Sequence, residues 1–160
     1  MAYTLTPFTP DRAALVAGWV TSADEADRWC SRAEHPFPAA VVAGWSAGDD
    51  DIAAYLLVDD AGTPVAYGEV WPDAEEAEAE LARLLVAPTA RRRGVGTALT
   101  TALVAAAPFD DVYLRVRPDN TAALATYRRA GFTDVAPDLQ AEWNAPQPRP
   151  YAWLHHARAS

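Results

Sequence analysis

Apolar and polar positions along the chain change period several times, and each change marks an element. Tyr3–Pro7 alternates with period two and predicts a short strand. Leu15, Val16, Trp19 and Val20 then keep helical spacing, which predicts a helix over Asp11–Val20 opened by Thr9 or Pro10. A second helical stretch follows Thr21 and Ser22, with Ala26, Trp29 and Cys30 on one side. Pro36, Pro38, Gly44 and Gly48 punctuate the next stretch, so residues 31–51 are expected to be mostly loop with one short helix. From Ile52 the pattern turns to β. Residues 52–58 and 65–71 form a hairpin about a turn marked by Asp60 and Gly62, and a longer strand spans residues 78–88. Val95, Ala98, Leu99, Ala102, Leu103 and Ala106 predict an amphipathic helix over Gly94–Ala107. Residues 111–118 read as a strand, and Asn120–Ala130 as a helix closed by Gly131. Residues 132–136 and 151–156 are late strands around a Pro-rich loop.

No internal repeat, low-complexity tail or linker breaks this order, and 160 residues suit one mixed α/β domain over 1–160. Much of the apolar share is alanine, so the six Trp, six Tyr and four Phe must supply the bulk of the core. Every one of the 13 basic residues is Arg, set against 22 acidic ones, for a net charge of −9. That charge argues against non-specific binding to nucleic acid or to anionic membranes. The single Cys, Cys30, excludes an intramolecular disulfide and a cysteine-based zinc site. No apolar run approaches the roughly twenty residues of a membrane span, and the N-terminus lacks the apolar stretch of a signal peptide, so a cytoplasmic location is expected.

Chemistry concentrates where the third long strand hands over to a helix. After Val86 and a Pro-containing turn come Arg91, Arg92, Arg93, Gly94, Val95, Gly96 and Thr97. Glycines let a ligand approach the backbone closely, and the unpaired first-turn amides of a helix attract phosphate. The chain has no lysine for a Walker A loop, and the third position of a dinucleotide fingerprint is Leu99 rather than Gly or Ala. Further on, Asn120, Ala123, Tyr127, Gly131 and Phe132 fall in a second spaced pattern, with Ala123, Tyr127 and Ala130 along one helix face.

Arg91, Gly94 and Gly96 after a strand ending in Val-x-Pro resemble motif A of the GNAT superfamily of N-acetyltransferases, and the Asn120–Phe132 pattern resembles a second segment of that family in the same order. The resemblance runs from about Tyr3 to His155, with its specific part over residues 78–132. It implies a GNAT fold: a mostly antiparallel twisted sheet of about six or seven strands flanked by about four helices. It also implies acetyl transfer from acetyl-CoA, with no metal, to a primary amine by direct attack in a ternary complex. The loop amides and Arg91, Arg92, Arg93, Gly94, Val95, Gly96 and Thr97 would hold the pyrophosphate. Leu84, Leu85 and Val86 would offer backbone groups to pantetheine, with the Leu85 amide as oxyanion donor, and Asn120 would bind the pantetheine arm or nearby waters. Tyr127 matches the family's tyrosine at the coenzyme sulfur and is assigned as general acid, since an ordinary phenol stays protonated at neutral pH.

For the general base the order is Glu80, then Glu69, then Glu78, with Glu78 and Glu80 on one face of their strand. Arg83 points to the opposite face from Glu80. The acceptor end is expected from Trp29 to Trp45 and from Pro137 to Pro150, with Glu34, Asp49–Asp51, Asp73, Glu75 and Glu76 as an acidic mouth for a cationic small-molecule or peptide amine. An inactive acyl-CoA-binding module is the alternative. A nucleic-acid binder using Arg91–Arg93, Arg115, Arg117, Arg128 and Arg129 is disfavoured by the net charge. The oligomer is left open, with a homodimer as the family's frequent state.

Overall fold

Seven strands join in one sheet: β1 (Thr4–Pro7), β2 (Ala53–Val58), β3 (Pro64–Asp73), β4 (Glu78–Val86), β5 (Asp111–Val116), β6 (Thr133–Asp134) and β7 (Ala152–Ala157). These come from a computed structural model that describes residues 2–158; Met1 and the last two residues of the expected 1–160 domain lie outside the described residues. The spatial order is β1-β2-β3-β4-β5-β7-β6, antiparallel throughout except for the parallel pair β4–β5. Among the described residues six α-helices flank it: α1 (Ala13–Ala17), α2 (Ala23–Cys30), α3 (Ala39–Trp45), α4 (Val95–Ala106), α5 (Thr121–Arg129) and α6 (Pro137–Asn144). The mixed α/β class and the mostly antiparallel sheet are as expected.

Two helices depart from the sequence reading. The helix expected over Asp11–Val20 is a 3-10 turn at Pro10–Arg12 followed by α1, which stops at Ala17 before Gly18. The Pro-rich loop contains α6, because Pro137 occupies its first turn, where a missing N–H removes no helical bond. The later prolines, Pro146, Pro148 and Pro150, all fall after its end.

Two irregularities in β4 shape everything that follows. Its pairing with β5 covers only Glu78↔Asp111, Ala79↔Val112 and Glu80↔Tyr113, after which the strands part. On its other side Glu69 of β3 faces Ala82 while Tyr67 faces Leu85, so two steps along β3 match three along β4. The extra residue makes a β-bulge, and Arg83 within it takes φ 52°, a left-handed conformation. A bulge bends and overtwists its strand. Here it turns the second half of β4 away from β5.

The core lies on both sheet faces. α4 is apolar nearly all round and packs Val95, Leu99, Leu103 and Val104 against β3, β4 and α5. Val16 and Val42 of α1 and α3 are fully buried.

Candidate active site

The parting of β4 from β5 opens a cleft of about 840 Å³, walled by Leu81–Val86 on one side and Leu114–Val116 on the other, with the start of α4 and the α5 face across its mouth. Strand alternation decides which β4 amides reach it. The Ala87 N–H bonds Val65 O on the β3 side at 2.8 Å, so the Leu85 amide two residues earlier also turns to β3, toward Tyr67. This corrects the expectation for Leu85: the Val86 backbone lies on the open edge instead, where its carbonyl receives Arg91 Nε at 3.2 Å. Leu84, Leu85 and Val86 all line the cleft.

At the start of α4 the first helical bond runs from Ala98 N to Gly94 O, 3.0 Å, which leaves the preceding amides without helical acceptors. Gly94 makes this turn at φ 77°, with open space where a Cβ would stand. Gly96 serves packing as well as approach: a Cβ there would come 3.1 Å from Thr126 Cγ2 on α5. The floor therefore fits a phosphate group, with exposed amides, the positive end of a helix and no side chain in the way. Arg91, Arg92, Gly94, Val95, Gly96 and Thr97 line it, but Arg93 does not. Arg91 is also less available than expected, because both its terminal nitrogens bond Glu25 of α2 at 2.9 Å.

That pair belongs to a strap. Ser22 caps α2 by accepting from Glu25 N at 3.1 Å, while the Glu25 carboxylate reaches back to Thr21 N at 3.2 Å. From there α2 holds both walls: Glu25 binds Arg91 beyond β4, and Asp27 accepts from Arg117 beyond β5 at 2.7 Å. Burial raises the Glu25 pKa, but the bonds from Arg91 and Thr21 outweigh it and hold the carboxyl below its ordinary 4.5. A carboxyl depressed on folding stabilises above its unfolded pKa and loses that contribution as pH falls through its folded value. The strap is therefore expected to weaken below about pH 4.5. Glu25→Gln should lose roughly 1 kcal/mol at pH 7 and flatten the acid limb of a melting-temperature profile; an unchanged profile would contradict the assignment.

Tyr127 lines the cleft from α5. Burial alone pushes its hydroxyl up to about 12, so it keeps its proton across the neutral range. Asn120 caps α5, its Oδ1 accepting from Ala123 N at 3.3 Å, and also lines the cleft.

A second cavity, about 810 Å³, opens beside the paired end of β4 and β5. Its lining mixes Trp71, Tyr113, Trp143 and Trp153 with six carboxylates, Asp49, Asp51, Asp73, Glu75, Glu78 and Glu80. Trp29 to Trp45 do not line it, which corrects that half of the expected acceptor wall; Trp29, Phe37 and Trp45 pack on one another instead. Glu34, Asp50 and Glu76 are absent from the lining too. Glu80 gives one oxygen to Arg115 Nε at 2.9 Å, and burial raises its carboxyl above the ordinary range despite that partner. Burial also raises Glu78, helped by Asp73, Glu76 and Asp111.

Glu69 is fully buried and engaged through both oxygens. It accepts from the Tyr67 hydroxyl, from Trp71 Nε1 at 2.8 Å and from Arg83 Nη1 at 3.0 Å. A carboxylate so buried, held by three donors and absent from the lining of either cavity, does not reach a substrate there, so Glu69 is corrected from candidate base to anchor of the bulge. Arg83, which the sequence places on the face opposite Glu80 with no catalytic role, is that anchor's partner: its guanidinium lies 4.1 Å from the Trp45 ring centre and 5.1 Å from Trp71. Its carbonyl accepts from Trp29 Nε1 at 2.8 Å. These contacts offset the roughly 1–2 kcal/mol that a left-handed non-glycine residue costs. A strand-internal Arg between Ala82 and Leu84 carried no signal of a bulge. Four of the arginines named for a nucleic-acid surface, Arg91, Arg115, Arg117 and Arg128, are paired with acids.

A family model described as the acetyltransferase (GNAT) family matches residues 19–132. Mycothiol acetyltransferase of Clavibacter michiganensis subsp. michiganensis is 40% identical over 132 residues, covering 74% of this chain and 43% of that protein. The chain thus spans less than half the length of this curated relative. Among solved structures, an aminoglycoside acetyltransferase in complex with coenzyme A and kanamycin superposes with TM-score 0.74 at 19% identity, covering 98% of this chain and 95% of the other. Spermidine N-acetyltransferase from Vibrio cholerae, in complex with CoA and spermine, gives TM-score 0.71 at 14% identity, with 96% and 92% covered. Both likenesses concern the fold.

Proposed function

The chain belongs to the GNAT acetyltransferase family, and on that premise we propose that residues 1–160 form one domain that moves an acetyl group from acetyl-CoA to a cationic primary amine. One observation carries the reading: the cleft opened by the splay, with free amides at one end and the Tyr127 hydroxyl in its wall, meets a carboxylate-rich aromatic cavity at Arg83, which lines both. In this reading the α4 amides and Arg92 bind the pyrophosphate, and the open edge of β4 pairs with pantetheine. Asn120 steadies the same arm through its free amide nitrogen. The aromatic cavity takes the amine.

The chemistry asks for a neutral amine and a stabilised leaving group. The amine lone pair forms the C–N bond as the C–S bond breaks. The amine's surplus proton passes to Glu80 or through water to solvent, and the sulfur leaves with a hydrogen bond from Tyr127. Full proton transfer from a phenol near 12 to a free thiolate of ordinary pKa would be uphill by about 5 kcal/mol. Tyr127 therefore acts by sharing its proton while charge builds on sulfur. Glu80, with a raised pKa and one oxygen unspent, is the base that fits best.

Glu80→Gln is expected to lower kcat/KM at pH 7 roughly tenfold, since water can replace part of a base's work, and to remove the acid limb of the rate profile. An unaltered limb would assign it to another group. The acidic cavity also implies steering, so kcat/KM for a cationic amine should fall several-fold as the screening length drops below about 10 Å. Thiol release measured against ionic strength checks this, and a flat response would count against the cavity as the acceptor site.

A further inference from the structure

The neck between the two cavities is chemically uneven, and that unevenness selects among amines. Among the described residues Arg83 is the one that lines both cavities and the one cation in the lining of the aromatic cavity. Its head is fixed by Glu69 at 3.0 Å and by the faces of Trp45 and Trp71. Among the described residues its guanidinium donates only that single bond, although a guanidinium carries five N–H groups. Its side chain is mostly covered, 22% exposed, and lines both cavities, so its unspent donors are available to a molecule held there.

We infer that Arg83 reads a carbonyl oxygen on the carbon next to the reacting amine, and that the acceptor is an α-amino amide, such as an aminoacyl or peptide α-amine, with a cationic tail. The inference rests on the acetyl-transfer reading, which brings the thioester from one cavity and the amine from the other, so that they meet at Arg83. The group attached beside the amine is then the group that meets the guanidinium. A simple polyamine would leave those donors unpaired and set an ammonium against a guanidinium. A free carboxylate would satisfy Arg83 but would enter a cavity holding six carboxylates against one Arg. An amide carbonyl accepts the same bond without adding charge, and a cationic tail matches the acids beyond it. The nearby Glu80–Arg115 pair is close to neutral and leaves that preference in place.

Argininamide, arginine and agmatine separate these cases, because each carries one primary amine and the same cationic tail. Thiol release and calorimetric binding to the CoA complex would be measured for all three. Variants would be Arg83→Lys and the double variant Arg83→Gln with Glu69→Gln, which avoids an orphaned buried carboxylate. The expected order places argininamide above agmatine by roughly tenfold or more in kcat/KM, and above arginine, with the amide-to-agmatine ratio collapsing toward one in both variants. Agmatine equal to or better than argininamide would overturn the inference, as would a ratio unchanged in the variants, a preference for free arginine, or no binding of any of the three. Preferential binding of argininamide that the variants erase, without thiol release, would support the recognition and overturn the acetyl-transfer reading.

Discussion

Replacing Tyr127 with phenylalanine is expected to lower kcat for acetyl transfer by about 10²- to 10³-fold while leaving the affinity for acetyl-CoA within about threefold. The substitution removes one oxygen. The ring keeps its edge-on contact with Phe132, whose centre lies 6.5 Å away, so α5 should hold its place. Among the described residues no hydrogen bond acts on the hydroxyl, and burial alone keeps it protonated with a pKa of about 12. Its loss therefore orphans no partner in the resting protein and is felt only when negative charge grows on the sulfur. Such an interaction lowers kcat and kcat/KM together. Steady-state kinetics alongside acetyl-CoA calorimetry checks the split; an unchanged kcat would remove Tyr127 from the chemistry.

The second large effect is on stability. Glu69→Ala is expected to destabilise the protein by about 3–5 kcal/mol, because it strands the Arg83 guanidinium, the Tyr67 hydroxyl and the Trp71 indole N–H in or near the core. For a chain of this size that corresponds to a fall of roughly 10 °C in Tm. Deleting both charges should cost less: Glu69→Leu with Arg83→Met replaces the ion pair by apolar bulk, and buried pairs often tolerate that exchange. Thermal and urea melts of both variants test the anchor. A cost below about 1 kcal/mol for Glu69→Ala would show that the three donors find other acceptors, and the bulge would need another support.

Much of the fold was legible because each long element carries its own period. The α4 stripe from Val95 to Ala106, the strands of residues 53–58 and 78–86, and Gly131 after α5 all follow from local pattern. That Gly94, Gly96, Asn120 and Tyr127 line one cleft was legible for the same reason, since they sit at fixed spacings. What stayed hidden depends on contacts between distant residues. Glu69 looks like any strand carboxylate until Arg83, on the neighbouring strand, is brought 3.0 Å away. Arg91 looks like a free phosphate ligand until α2 supplies Glu25. The resemblance implied the Leu85 amide as a donor in the cleft, but the bulge adds one residue, reverses the parity of every position beyond it and turns that amide toward β3. Proline density at residues 137–150 hid α6, because only the position of each proline within the helix decides whether it interrupts.

The proposed reaction couples a thioester in the splayed cleft to an amine in the acidic cavity. Its most direct measurement is thiol release from acetyl-CoA, with mass detection of the acetylated product, in the presence and absence of a cationic primary amine. The expected result is release that depends on the amine, matches N-acetylated product one for one, and falls by about 10²-fold or more with Tyr127→Phe. Tight binding of acetyl-CoA with no amine-dependent release, across amines that enter the acidic cavity, would contradict it and leave a protein that holds the thioester without transferring it.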